Sequence, residues 1–204
     1  MEKKDFRKEL KHLYEPSARD FSIVDVPPMR FLMIDGCGDP NVSREYKEAI
    51  EALYAVSYTL KFASKNELGK DYVVPPLEGL WWADDMSLFA TGARDKWRWT
   101  MMIMQPEWIK PAMIAKAIES ARAKKPLAGL SLLREEVLNE GRSVQIKHVG
   151  SYADEAPILA KLHNEYLPQN GLVCNGKHHE IYISDPRKTS SSKLKTVLRQ
   201  PVRG

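Results

Sequence analysis

"NGKHHEIYISDPR", residues 175–187, decides how this sequence folds. Most of it reads as a β-strand, yet Glu180 stands in its middle beside Ile181, Tyr182 and Ile183. Side chains alternate across a strand, so Glu180 and Tyr182 share one face while Ile181 and Ile183 share the other. The isoleucine pair is the natural partner for a covering helix. That expectation leaves Glu180 and Tyr182 on the sheet face away from the helices.

Working outward from this strand, the chain repeats itself. "RSVQIKHVGSYADEA" reads as strand and turn, "DEAPILAKLHNEYLPQNG" as a helix with Pro157 in its first turn, then "KHHEIYISDP" and "KLKTVLRQPV" as two strands. The first half offers the same order: strand "MRFLMIDGCGDP", helix "SREYKEAIEALYAVSYTLKFAS" with Ser43 as N-cap, then "LEGLWWADD" and "KWRWTMMIMQP" around a polar turn. Met104-Gln105-Pro106 matches Arg199-Gln200-Pro201, and Ala83-Asp84 matches Ser184-Asp185. The expected organisation is a single domain over 1–204: an N-terminal amphipathic arm over 1–20, a first repeat over 21–106, a linking helical segment over 107–141 and a second repeat over 142–204.

Superposing the repeats places Gly79 opposite Glu180 and Trp81 opposite Tyr182, with Leu80 and Trp82 matching Ile181 and Ile183. Two halves paired about a pseudo-twofold would then wall a groove with aromatic rings around one acid, suited to a flat, apolar, often cationic ligand. The plainer alternative stands beside it: a glutamate on an amphipathic strand usually faces water, and tryptophan and tyrosine usually pack in a core.

Composition narrows the classes. Hydrophobic residues at 43% and charged residues at 28% describe an ordinary globular chain, and the net charge of +4 is too small to argue for nucleic acid. No apolar run approaches the roughly 18 residues a membrane helix needs, and the charged start "MEKKDFRKEL" does not read as a signal peptide, so a cytoplasmic location is expected. Cys37 and Cys174 read as reduced thiols. Among His148, His163, His178 and His179, the adjacent pair points to opposite faces and no ligand-like spacing occurs, so no metal is expected. "DGCGDP" lacks the features of a phosphate loop and reads as a turn. "DKWRWTMMIMQP" mixes Arg98 with Trp97 and Trp99, which a sandwiched strand with Trp99, Met101 and Ile103 inward explains better than base stacking.

"RFLMIDGCGDPN", "DYVVPPLEGLWWADD", "KWRWTMMIMQP" and "GKHHEIYISDPRK…KLKTVLRQPV" together resemble the GyrI-like small-molecule-binding family, in its stand-alone members of about this length. The resemblance implies an α+β fold: a duplicated strand–helix–strand–strand unit with a pseudo-twofold, whose curved antiparallel sheet forms a ligand groove with helices on the outer face. Relatives include drug-sensing domains of transcription regulators, a gyrase-inhibiting protein and hydrolases of the cyclopropane ring in DNA-alkylating natural products. The family's groove glutamate falls on Glu180, and its aromatic positions on Trp81, Tyr72, Tyr182 and Tyr152, with Gly79 and His178 counted beside them. No helix-turn-helix precedes the domain, which disfavours a regulator. No cofactor is expected, and the partner implied is a hydrophobic aromatic small molecule rather than nucleic acid, membrane or a specified protein.

Two roles follow from the resemblance. In a hydrolase, Glu180 acts as general base on a water that opens the strained ring, its pKa raised by burial, while Tyr72 donates to the carbonyl oxygen. In a sequestering or sensing protein, Glu180 is a countercharge.

Overall fold

Alternating apolar runs build the strands of both halves of the chain, and one long amphipathic stripe builds the helix of the first. The structure, a computed structural model, describes residues 3–83 and 94–204. The turn expected between the third and fourth elements of the first repeat, Asp84 included, lies outside the described residues. The chain divides into two compact units, Met1–Phe6 with Met29–Leu138, and Arg7–Pro28 with Asn139–Gly204.

In the first unit β3 (Met29–Cys37), β5 (Leu77–Trp82), β6 (Arg98–Met104) and β7 (Arg134–Leu138) form antiparallel neighbours in the order β7-β3-β6-β5, beside a short parallel pair β1 (Lys3–Lys4) and β4 (Asp71–Tyr72). Helix α3 (Arg44–Leu68) connects β3 to β4 and β5. Ser43 Oγ accepts the Tyr46 N–H at 3.2 Å, and Gly69 closes the helix at φ +65°, in the left-handed region where glycine carries no Cβ penalty. Ala49, Ala52, Leu53, Val56 and Leu60 form its buried stripe, at the spacing that a 3.6-residue repeat requires.

In the second unit β2 (Ser22–Val26), β8 (Gly141–Val149), β10 (His178–Tyr182) and β11 (Lys195–Arg203) lie in the order β2-β8-β11-β10, and β9 (Val173–Cys174) pairs with the end of β11. The helical stretch after β8 is segmented: α5 (Ala156–Lys161), a π-turn over Leu162–Tyr166, and α6 (Leu167–Gln169). Pro168 accounts for the break, because its ring clashes with the carbonyl four residues back and offers no N–H to it. Each unit therefore repeats strand–helix–strand–strand, and the fold is α+β, as the sequence implies.

Two boundaries differ from the sequence reading. In the linking segment the α-helix covers only α4 (Pro111–Lys124) and a 3₁₀ turn follows at Ala128–Ser131, because "REEVL" alternates and pairs with β3 as strand β7. Charge pairs fix that edge: Arg134 to Asp35 at 2.9 Å and Arg30 to Glu135 at 2.7 Å. Ser22–Val26, placed at the head of the first repeat, instead pairs with β8. The N-terminal arm forms α1 (Phe6–Glu9) and α2 (Lys11–Tyr14), with Leu13 and Tyr14 buried.

The alternation holds in both units, but the helix covers the other face. In the second unit Leu162 and Leu167 pack with Val144 and Val202, which lie on the Glu180 face of the sheet. The Ile181 face carries the arm instead. Arg199 on that face donates to the Leu13 carbonyl at 2.9 Å, to Gln145 Oε1 at 3.2 Å and to Glu140 Oε2 at 3.1 Å, while His179 Nδ1 sits 3.0 Å from Glu140 Oε1. Burial works to raise the Glu140 pKa, and the His179 and Arg199 charges overcome it, holding the carboxyl at about 2.

The first unit is arranged likewise. Tyr46 of α3 meets Trp81 and Trp99, with ring centroids 6.1 and 5.2 Å away. Leu80 joins Phe31, Met33, Met102 and Met104 on the opposite face, with Trp82 and Phe6 against them. Trp82 is thus a packing residue, as expected, but not beneath the helix. Trp99, Met101 and Ile103 are fully buried on the helix side.

Candidate functional site

β10 sets the geometry of the second unit's polar centre. Its register opposite β11 places Tyr182 beside Thr196 and Glu180 beside Leu198, and β8 then brings His148 next to Thr196. These side chains share the face over which the first turn of the helical stretch begins. The Tyr182 hydroxyl donates to Glu180 Oε2 at 2.8 Å. His178 Nε2 lies 3.7 Å from Glu180 Oε1, beyond hydrogen-bond range. The Glu180 side chain is partly buried, with 17% exposure.

The turn 152–155 closes over this centre. Ser151 and Asp154 form a reciprocal cap, with the Ser151 hydroxyl donating to Asp154 Oδ2 at 2.6 Å and the Ser151 N–H at 3.3 Å. The cap presents Tyr152 edge-on to Tyr182, with centroids 5.8 Å apart. Asp154 fills the capping role and Glu155 turns inward, where it is 4% exposed. Burial first, and the negative charge of Glu180 second, push its pKa up to about 9, while Thr196 beside it works in the other direction. At neutral pH Glu155 is therefore a neutral carboxylic acid next to a carboxylate. Among the described residues Glu155 Oε1, Thr196 Oγ1 and both ring nitrogens of His178 are buried without a hydrogen-bond partner. Unmet polar atoms in one place favour a ligand or water that meets them.

Of the residues expected at a site, Glu180, Tyr182, Tyr152 and His178 are brought together. Gly79, Trp81 and Tyr72 belong to the first unit. Gly79 pairs with Met101 on the helix side and is buried, and Trp81 packs against Tyr46 and Trp97 at 4% exposure. Tyr72 does not stand at a rim: it is wholly buried against Trp108, centroids 6.0 Å apart, and its hydroxyl has no hydrogen-bond partner among the described residues. Burial raises its pKa far above the phenol range. The cause is its place on β4, which the parallel partner β1 covers. Buried acids missed by the sequence reading include Glu155 and Glu140 in the second unit and, in the first unit, Glu78 at 1% exposure.

A duplicated α+β chain with an acid, an aromatic pair and unmet polar atoms on one sheet face has the features of a small-molecule-binding domain. It belongs to the GyrI-like family: the GyrI-like small molecule binding domain matches residues 19–203. An uncharacterized conserved protein from Listeria innocua is 41% identical, with TM-score 0.91 over 98% of this chain and 100% of that one. A hydrolase from the same organism is 40% identical, with TM-score 0.88 over 99% and 100%. The C-terminal domain of EcmrR shares the fold at 10% identity, with TM-score 0.55 over 90% and 97%. No curated protein matches the sequence. No helix among the described residues is long and apolar enough to cross a membrane.

Proposed function

We infer that this protein binds planar, aromatic, electrophilic small molecules and hydrolyses them, the scissile element being a strained cyclopropane conjugated to a carbonyl. The observation that carries the reading is the Glu180 carboxylate, on a partly exposed side chain and oriented by the Tyr182 hydroxyl at 2.8 Å. A carboxylate so held is a base that lifts a proton from an attacking water, and the Tyr152–Tyr182 pair offers an aromatic surface for a flat ligand. Likeness at 40% identity to a hydrolase supports turnover over binding alone. No step in this chemistry needs a cofactor.

The test is turnover of a duocarmycin-like cyclopropane compound, with ring-opened product followed by chromatography. Many product molecules per protein from wild type, and a loss of at least about 100-fold in Glu180→Gln, are expected for removal of a general base. Stoichiometric binding without product would exclude hydrolysis. The second reading, sequestration of cationic aromatic compounds, draws on the same carboxylate among rings as a countercharge. It predicts that a cationic dye binds wild type and loses affinity in Glu180→Gln.

A further inference from the structure

We propose that Glu155 is the catalytic acid of this site, delivering a proton to the substrate oxygen that gains charge as Glu180 activates water. The proposal rests on the hydrolytic reading above and adds a second residue to it. Glu155 is 4% exposed, and Thr196, the β11 partner of Tyr182, lies beside it. Tyr182 in turn holds Glu180, so both carboxyl groups belong to one cluster. Glu155 Oε1 is buried and has no hydrogen-bond partner among the described residues, an unmet polar atom that a substrate acceptor would satisfy. The cap is made by Asp154, so Glu155 has no structural task in the turn that would require its charge.

The step balances without any co-reactant beyond water. Water oxygen bonds to a cyclopropane carbon as Glu180 takes the water proton. The ring C–C bond breaks, its electron pair moves through the conjugated system to the carbonyl oxygen, and that oxygen takes the proton of Glu155. The product carries one added water, with no change in oxidation state overall. Proton transfer from Glu180 to Glu155 restores the starting state. This division of labour follows the general rule that two neighbouring carboxyls with separated protonation states serve as acid and base.

The titratable group that faces Glu155 is Glu180 from β10; His178 stands 3.7 Å from Glu180, His148 of β8 pairs with Thr196, and Asp154 precedes Glu155 in its own turn. Steady-state hydrolysis of a duocarmycin-like cyclopropane probe is measured from pH 6 to 10 in wild type, Glu155→Gln and Glu180→Gln. Infrared difference spectra of wild type and Glu155→Gln at pH 7 are recorded alongside. Glu155→Gln is expected to lower kcat about 100-fold or more, with KM within about threefold, and to lose the alkaline limb that wild type shows. A protonated-carboxyl stretch at pH 7 should be present in wild type and absent in Glu155→Gln. Wild-type turnover with Glu155→Gln within threefold in kcat overturns the acid role alone, as does absence of the infrared band. Absence of turnover in wild type overturns the hydrolytic reading and this role with it.

Discussion

Glu155→Gln makes a prediction about stability that needs no ligand. The folded protein holds this carboxyl protonated up to about pH 9, whereas the unfolded chain releases the proton near the ordinary value of 4.5. A carboxyl raised on folding costs nothing below the unfolded value and progressively more above it, because unfolding then liberates a proton. Between pH 5 and 7 the slope is about 1.4 kcal/mol per pH unit, so wild type should lose roughly 3 kcal/mol of stability from this group alone. Any folded value above about 8 gives the same slope across that window, so the argument does not depend on the last unit of the shift. Glutamine keeps the shape of the neutral acid and has no proton to release. Urea denaturation of both proteins at half-unit steps from pH 5 to 8 measures the difference through the midpoint at constant m. Other groups cancel in the comparison. His163, for example, has its pKa lowered by burial and then by the His178 charge, and titrates in both proteins. Stability gained by Glu155→Gln should grow with pH. Parallel curves for the two proteins would refute the buried neutral acid.

Glu140→Gln should destabilise the second unit by roughly 3–5 kcal/mol, because it leaves the buried Arg199 guanidinium without its carboxylate. Wild-type stability from Glu140, present above the unfolded value of 4.5, should be lost as pH falls toward about 2, and chemical denaturation at acid pH reads both effects. Gly36→Ala should cost about 1–3 kcal/mol by overpacking, since the new Cβ would lie 2.1 Å from the Trp99 ring, and the shift should appear in tryptophan emission and in the thermal midpoint. Tyr182→Phe removes the donor to Glu180 and should weaken binding of a cationic aromatic dye about tenfold, read by fluorescence titration; an unchanged affinity would dissociate the hydroxyl from the site.

The alternation along "HHEIYI" was legible because a period of two is a local property that tertiary packing cannot alter. The duplication was legible because each strand–helix–strand–strand order carries its own turn and cap signals, Ser43 and Gly69 among them. Which face the helix would take was not. Both sheet faces of the second unit are apolar over much of their length: Val144, Leu198 and Val202 on one, Ile181 and Val197 on the other. An arm with Leu13 and Tyr14 satisfies the second as well as a helix would, and only the Arg199 and Gln145 bonds to arm carbonyls decide between them. Those bonds link residues more than a hundred positions apart, beyond the reach of local pattern.

Glu155 carries a signal of its own in the sequence. In "SYADEAPILAKL" an acid at a helix start is ordinarily assigned to the dipole, where Asp154 does act as a cap. But Tyr152, Glu155, Leu159 and Leu162 recur at helical spacing, and a glutamate within an apolar stripe is directed toward the sheet rather than the solvent. What such a carboxyl meets there determines its charge. Opposite an arginine, as Glu140 is, burial is overcome and the group stays ionised; opposite Glu180, burial and repulsion act together and the group keeps its proton. The two acids flank β10 on opposite faces, one holding His179 and the Arg199 that fastens the arm, the other placed beside Glu180. The same strand thus assigns one buried glutamate to stability and the other to chemistry, through the alternation that first set Glu180 apart from Ile181.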